Sequence, residues 1–595
     1  MKEIINKEEF INATNLHKLK MEKAAHPLMR LTGVAKLNAL YDSLMPCEGL
    51  EFVDALFDKL EIDYVFDEAE LDNIPRKGPF ITISNHPFGA IDGLILLKLI
   101  AERRADYKLM ANYLLQHLEP LTKFLIPVNP FEDDVSKQSS FIGMRRAVEH
   151  LQDGNGLGIF PAGEVSTLQK RSRQITDRAW QKSALKLIQS SKVPIIPIYF
   201  QGSNSAIFHL LGLVNPKIRT AILPAEMFKK KKKAIRVRIG NAIPLRDQKG
   251  FKDLDRFGRF LRAKTYALGS ALEVHNFYNP PIRRAKLEKM PKPLAAPQNP
   301  QTILDEIESL RDHNLLFTQN NFEAFIAYAN EIPHILPELG RLREITFREV
   351  GEGTNEPSDT DEYDLYYYHL FLWDREQNQI VGAYRIGKGD EIIDRFGKKG
   401  FYIHSLFKID DGFLPILSQS VELGRSFIMK AYQKNRLPLF LLWRGIVHFL
   451  KNHPECRYII GPVSISNSYS KVSRSFMVAY IEAYYFDYEL ASYIQPRNAF
   501  RMKKNKFPVD TKSLLEGVGA DLKKVDKIIS DIEPSHMNLP ILLKKYIGQN
   551  ARIIGFNVDP KFNDSLDGLM IVDVLELPET SVYHQEDVPS NHDKK

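Results

Sequence analysis

Through the first half of the chain, short apolar runs alternate with stripes of apolar residues at helical spacing. Gly78–Ser84, Gly156–Phe160, Val193–Phe200 and Ile235–Ile239 read as strands. Residues 16–60, Gly93–Arg104 and Asp177–Ser191 read as helices. That alternation predicts an α/β layered fold around a largely buried sheet. The second half mixes its elements differently. Asn321–Ile332 and Leu437–Leu450 carry helical patterns, and Val421–Met429 a strand. Tyr366–Trp373 and Gln379–Ile386, with a turn between them, predict an antiparallel pair, so this half reads as α+β.

Between the halves, "AKLEKMPKPLAAPQNPQTI" holds four prolines among Ala, Gln and Asn, the composition of a linker. With 595 residues the chain exceeds one core. The expected division is a domain over 1–290, a linker over 291–303, a second domain over 304–580 and a disordered tail over 581–595. Two cysteines, Cys47 and Cys456, exclude a disulfide framework and favour a reducing compartment. No apolar run reaches the ~18 residues of a spanning helix. The expected location is the cytoplasm, peripheral on the cytoplasmic face of the membrane.

Net charge is +7, and Lys229–Lys233 is an unbroken lysine run. Such a run suits a solvated turn, an anionic lipid or acyl-carrier contact, or a nucleic-acid patch. No nucleic-acid motif accompanies it. Attraction to an anionic membrane, about 1 kcal/mol per Lys near the surface, is the better functional reading.

The candidate chemistry of the first half begins in "ITISNHPFGAIDG", Ile81–Gly93. A strand ends at Asn85-His86, Gly89 breaks the loop, and Asp92 opens a helix. The carboxyl ends of strands are where open α/β sheets place ligands. The pair has two readings. His86 and Asp92 cap a turn and a helix, or Asp92 orients His86 as a general base for an incoming hydroxyl. "GLGIFPAGEVS" (Gly156–Ser166) and "VPIIPIYFQGSNS" (Val193–Ser205) repeat the theme of a strand with a polar exit.

Together the three stretches resemble the lysophospholipid/glycerolipid acyltransferase family, over roughly residues 60–245. Its marks are Asn-His-x4-Asp, Phe-Pro-Glu-Gly-Thr-Arg-Ser and a later Val-Pro-x-x-Pro-Val strand. The resemblance implies a catalytic His86 with Asp92. It places Asn85, Gly89, Phe160, Pro161, Gly163, Glu164 and Ser166 around the substrate. The departures are specific. Five residues separate His86 from Asp92, Ala162 stands for the family Glu, Glu164 for the Thr, and Val165 for the Arg. In the family that Arg is associated with the acceptor's phosphate, which a guanidinium suits. Its loss argues against lysophosphatidate and for a hydroxyl-bearing acceptor with an amino-acid headgroup, unless Lys170, Arg171 and Arg173 substitute. The branch most resembled includes hemolysin-like proteins and the O-acyltransferases of ornithine and glycine lipids.

In the second half, "RLREITFREV", "DTDEYD", "IVGAYRIG" and "SVELGRSF" punctuate apolar segments with acidic residues and arginines. Taken singly these are exposed ion pairs. In this order they resemble the acyl-homoserine-lactone synthase and ornithine-lipid N-acyltransferase families, relatives of the GNAT fold. The resemblance implies roles for Arg343, Asp361, Asp364, Arg385, Glu422 and Arg425. No pyrophosphate loop is visible after Glu422, which favours acyl carrier protein over coenzyme A as acyl donor. No cofactor and no metal are expected. Glu422 is the candidate base for an amine, with Asp361 and Asp364 as alternatives. Arg425 or Arg385 would hold a carboxylate. An offset of three reverses strand faces, so either one of Glu422 and Arg425 is structural or a bulge re-aims it.

The implied function is synthesis of an aminolipid. A 3-hydroxyacyl group joins the amine of ornithine or glycine, and the resulting hydroxyl is then acylated. The alternatives are a glycerophospholipid acyltransferase with a non-catalytic second half, and a membrane-associated, hemolysin-like protein without enzymatic activity.

Overall fold

The computed structural model describes residues 3–14, 22–112, 115, 118–128, 134–169, 174–214, 221–229, 234–270, 291–501 and 510–578. Lys170, Arg171, Arg173, Lys230–Lys233 and the expected tail lie outside them. The chain forms two compact units. The first comprises Met1–Arg283 and Lys504–Met537, the second Arg284–Lys503 and Asn538–Lys595.

The first unit is built on a seven-stranded sheet. Its strands are β1 (Tyr64–Val65), β2 (Phe80–Ser84), β3 (Lys108–Asn112), β4 (Leu125–Val128), β5 (Gly156–Ile159), β8 (Ile195–Phe200) and β9 (Ile235–Ile239). They lie in the order β1-β9-β8-β2-β5-β3-β4. All neighbours are parallel except β8 and β9. β6 (Thr167–Leu168) and β7 (Ile175–Thr176) form a separate ribbon. Every residue of β2 and of β5 is buried, Thr82 and Ser84 included, as expected for strands covered on both faces. The helix Ala90–Ala101 after β2 is buried nearly all round, so its packing rather than an amphipathic stripe holds it.

By sequence position, Lys504–Met537 belongs with the second half; in the structure it completes the first unit. The helix Leu522–Ile532 buries Val525, Ile528, Ile529 and Ile532, an i, i+3, i+4, i+7 stripe. Its Asp531 pairs with the buried Lys264 and accepts from the Asn241 backbone N–H at 2.7 Å. The helix Thr511–Val518 crosses so close that a Cβ on Gly517 would lie 2.2 Å from the Phe260 ring.

The second unit holds an eight-stranded sheet. It contains β10 (Leu315–Gln319), β11 (Phe322–Ala327), β12 (Tyr368–Asp374), β13 (Gln379–Lys388), β15 (Ser420–Ile428), β16 (Tyr458–Ile465), β18 (Arg552–Asp559) and β19 (Ser565–Asp573). The order is β10-β11-β12-β13-β15-β16-β19-β18. β14 (Phe407–Ile409) and β17 (Ile494–Pro496) pair apart from it. The only parallel neighbours of the large sheet are β15 and β16, joined across the helix Leu437–Asn452. Their pairing spans Ser420–Glu422 against Tyr458–Ile460 and goes no further.

The antiparallel pair foreseen in the sequence is β12 with β13. Asn321–Ile332 is a correction, because it contains β11 and a short 3-10 turn in place of a helix. Asn320 takes φ +55° and closes a hairpin with β10, and β12 binds the other edge. Pairing on both sides overrides the helical spacing. The Pro-rich stretch is also tied down. Lys292 and Ala295 donate their backbone N–H to Asn355 and Pro357 carbonyls at 3.0 and 2.9 Å, and Pro300–Leu310 is a helix. Among the described residues no helix is long and apolar enough to cross a membrane.

Candidate active sites

In the first unit the sheet brings the ends of β2, β5 and β8 together. Asn85 locks two of them. Its side-chain amide donates to the Phe200 carbonyl at 2.9 Å and accepts from the Phe200 N–H at 2.8 Å. Phe200 is fully buried, so neither group has water as an alternative. Asn85→Ala is expected to cost about 1–3 kcal/mol, read by urea unfolding; unchanged unfolding would show that Asn85 does not hold these strand ends.

His86 follows, and its Nδ1 lies 3.0 Å from Asp92 Oδ2. The extra residue in the loop is absorbed at Gly89, whose φ of +85° and ψ of −129° suit glycine alone. The turn aims Asp92 back along the chain. Asp92 Oδ2 accepts from the Phe88 N–H at 2.8 Å and the Gly89 N–H at 3.1 Å. Asp92 therefore caps its helix and meets the imidazole at once, and the two sequence readings are one structure. Burial raises the Asp92 pKa, while His86 and the two N–H donors pull against it. The carboxylate fixes the proton on Nδ1 and leaves Nε2 as the basic nitrogen. The ring stacks on Phe160 with centroids 4.1 Å apart, and the side chain keeps 18% of its surface exposed.

The Phe-Pro-Ala-Gly-Glu-Val-Ser loop packs against this turn. The Ser166 N–H donates to the His86 carbonyl at 2.8 Å. Ser166 Oγ donates to Asp177 Oδ1 at 2.6 Å, and the same oxygen accepts from the His86 N–H at 3.3 Å. Asp177 is buried, and burial raises its pKa against these hydrogen bonds. It clamps the two loops together. Sequence reasoning missed it, since it lies in a polar stretch far from His86 with no motif of its own. Pro161 accepts the Gln181 N–H at 2.9 Å, and Gly163 takes φ +68° where a Cβ would meet the Gln181 amide at 2.2 Å. Glu164 pairs with Arg178 at 3.2 Å. Val165 is buried against Gly89.

In the second unit five of the sequence-predicted residues converge on one buried network. Arg343 donates to both oxygens of Asp364 at 3.0 and 3.2 Å. Arg385 Nη1 lies 3.2 Å from Asp364 Oδ1 and bonds Asp361. Arg425 reaches Asp361 at 3.0 Å and Asp359 at 2.9 Å. Positive and negative groups alternate through the series, with three arginines against three aspartates. Three tyrosine rings, Tyr363, Tyr367 and Tyr402, lie 5.2 to 5.6 Å from the Arg385 guanidinium.

Arg425 joins this network through a bulge. Arg385 pairs with Gly424 while Ala383 pairs with Phe427, so β15 carries one extra residue there. Arg425 itself takes φ +52°. The neighbouring Glu422 has a different environment. Its carboxylate accepts from the Tyr367 hydroxyl, the Tyr402 N–H at 3.0 Å and the Ile403 N–H at 2.8 Å. Its pKa is raised by burial, with those donors opposing. It anchors the turn that opens the helix Ile403–Leu406.

Beyond the last paired residues of β15 and β16 lies a cavity of about 120 Å³. Arg425, Tyr402, Ser464, Glu352, Asp559 and Asp567 are among its lining residues, and Glu422 is not. Ser464 Oγ donates to Asp567 Oδ1 at 2.7 Å, and Tyr402 to Asp559 at 3.3 Å. Burial pushes the Glu352 carboxyl up to about 7. Burial, with Asp559 and Glu352 nearby, pushes Asp567 up to about 8. The sequence marks these carboxylates only as polar positions in alternating strands. Among the described residues no cluster of His, Cys, Asp and Glu is arranged to hold a metal ion.

Residues 22–275 match an acyltransferase family, and residues 342–443 a family described as acetyltransferase (GNAT) domain. A glycine N(alpha)-acyltransferase of Phocaeicola vulgatus is 27% identical over 50% of this chain and 94% of its own length. A lyso-glycine lipid O-acyltransferase of Bacteroides thetaiotaomicron is 29% identical over 33% of this chain and 71% of its own length. The crystal structure of the 1-acyl-sn-glycerophosphate acyltransferase PlsC from Thermotoga maritima aligns with 43% of this chain and 92% of its own at 15% identity and a TM-score of 0.22. The chain thus joins an acyltransferase-like domain to a GNAT-like domain, and it is an enzyme that transfers acyl groups.

Proposed function

We propose that this enzyme makes an aminolipid by two successive acyl transfers, with glycine as the acceptor of the first. The second unit joins a 3-hydroxyacyl group, carried as a thioester on acyl carrier protein, to the glycine amine. The first unit then acylates the 3-hydroxyl of that product. The observation that carries the reading is the pairing in one chain of the His86–Asp92 dyad, suited to a hydroxyl acceptor, with a carboxylate-rich cavity suited to an amine. The names of the relatives support glycine over ornithine. The buried Val165, at the place of a phosphate-binding arginine, supports an acceptor without phosphate.

In the O-acylation, His86 Nε2 takes the proton of the 3-hydroxyl as its oxygen attacks the thioester carbonyl. Asp92 steadies the imidazolium that forms. The tetrahedral intermediate collapses, the C–S bond breaks, and the imidazolium returns the proton to the leaving thiolate. Joining both units in one chain raises the effective concentration of the lyso-intermediate at the second site. The products are lipids, which supports action at a membrane surface, and acyl carrier protein as donor would place that surface on the cytoplasmic face.

Expression in a bacterium that lacks aminolipids is expected to yield mono- and diacylated glycine lipid in extracts analysed by mass spectrometry. Ornithine lipid in their place would move the assignment to that amino acid. No aminolipid from intact, expressed protein would sink the reading. Acylation of lysophosphatidate alone would establish the glycerophospholipid alternative.

A further inference from the structure

We propose that Asp567, in place of Glu422, is the group that takes the proton from the acceptor's ammonium in the N-acylation. The proposal rests on the reading above that the second unit acylates an amine, and it names the residue that reading requires. An ammonium has no lone pair, so one proton must leave before nitrogen attacks the thioester carbonyl.

Three observations select Asp567. First, it lines the cavity at the divergence of β15 and β16, and Glu422 does not. Second, both of its hydrogen bonds fall on Oδ1, from Ser464 at 2.7 Å and Ser565 at 3.5 Å, which leaves Oδ2 for an incoming N–H. Glu422, in contrast, has both oxygens engaged by donors of its own unit. Third, the charges facing Asp567 favour a cation. Glu352 and Asp559 approach from separate elements, and Tyr402 lines the same wall. The one cationic residue lining the cavity, Arg425, is already paired with Asp359 and Asp361. A carboxyl raised toward neutrality is a competent acceptor of an amine proton near neutral pH.

The step balances. Asp567 carboxylate takes H⁺ from R–NH₃⁺, and the freed amine forms the C–N bond at the thioester carbonyl. The C–S bond breaks, the thiolate leaves, and the second amine proton neutralises it. The products are an amide and a thiol, with the carboxyl returned to carboxylate by solvent.

The test compares Asp567→Asn with the wild type in the full-length enzyme, with a 3-hydroxyacyl thioester as donor and glycine or glycinamide as acceptor. General-base loss predicts a fall in kcat with glycine of about 10²–10⁴-fold. The break that Asp567 sets in the wild-type pH–rate profile should disappear, leaving a rate that rises steadily with pH as more of the amine is free. Glycinamide, whose amine is less basic, should lose much less, which a merely structural defect would not produce. O-acylation of a supplied N-(3-hydroxyacyl)glycine by the same preparation controls for folding and should stay at the wild-type level. An Asp567→Asn enzyme with a rate within about threefold of wild type and an unchanged profile overturns the role of Asp567. A wild type that acylates no amine at all overturns the function itself.

Discussion

Replacing His86 with alanine is expected to slow the proposed O-acylation by about 10²–10⁴-fold, the usual contribution of a positioned general base. On the proposed function, which assigns the first step to the other unit, N-acylglycine should then accumulate at the expense of the diacylated lipid. The expectation rests on the ring's setting. Nδ1 is held by Asp92 at 3.0 Å, one face is covered by Phe160, and part of the side chain remains open. No other histidine, and no cysteine, stands in the Asn85–Ala90 and Phe160–Ser166 loops that meet there. The measurement is the ratio of mono- to diacylated product in lipid extracts. An unchanged ratio in His86→Ala would remove the imidazole from the chemistry.

Asp364→Ala is expected to destabilise the second unit by about 3–5 kcal/mol, the cost of removing one member of a buried ion pair. Arg343 and Arg385 would both lose a counter-charge in a place water does not reach; each is at most 2% exposed. For a unit of this size the loss should appear as a fall in its melting transition of roughly 10 °C. The pH dependence has a defined sign. Burial alone would raise the Asp364 carboxyl, but Arg343 and Arg385 outweigh it and hold it well below the ordinary range. A depressed folded-state pKa gives stability that is complete above the ordinary Asp value near 4. That stability is lost as pH falls toward the folded-state value. Urea unfolding of the wild type should weaken on that acid side, and Asp364→Ala should show less of this dependence. An Asp364→Ala variant within about 1 kcal/mol of wild type would show that the network is solvated.

Much of this was legible in the sequence where a residue's role is local. The strand ends at Ser84, Ile159 and Phe200 follow from unbroken apolar runs, and His86 follows from standing where one of them stops. The reach of Asp92 was not legible, since it depends on the φ and ψ of Gly89. Asp177 was hidden because no motif marks it and the loop of His86 that it clamps lies far away in the sequence. The five charged residues of the second unit were recognised as a set. Their mutual neutralisation was not, because which guanidinium meets which carboxylate depends on strand register. The bulge at Arg425 was one of two outcomes the face-reversal argument required, and the structure takes it. Glu422 drew attention as the acid in a Glu-x-x-Arg sequence, yet Tyr367 and the Tyr402–Ile403 turn occupy it. β11 is not legible as a strand, because pairing on both edges cannot be seen in a window of twelve residues.

The path of Leu522–Ile532 has a consequence for how the chain can be divided. A polypeptide cut at the proline-rich stretch would leave the first unit without Asp531, and Lys264 would stand buried and uncompensated. The apolar surface that Val525, Ile528 and Ile529 cover would also be laid open. The chain leaves the first unit, builds most of the second, returns to finish the first and leaves again. The two units are therefore laced into one folding problem, and a gene split at the visible seam would divide neither cleanly.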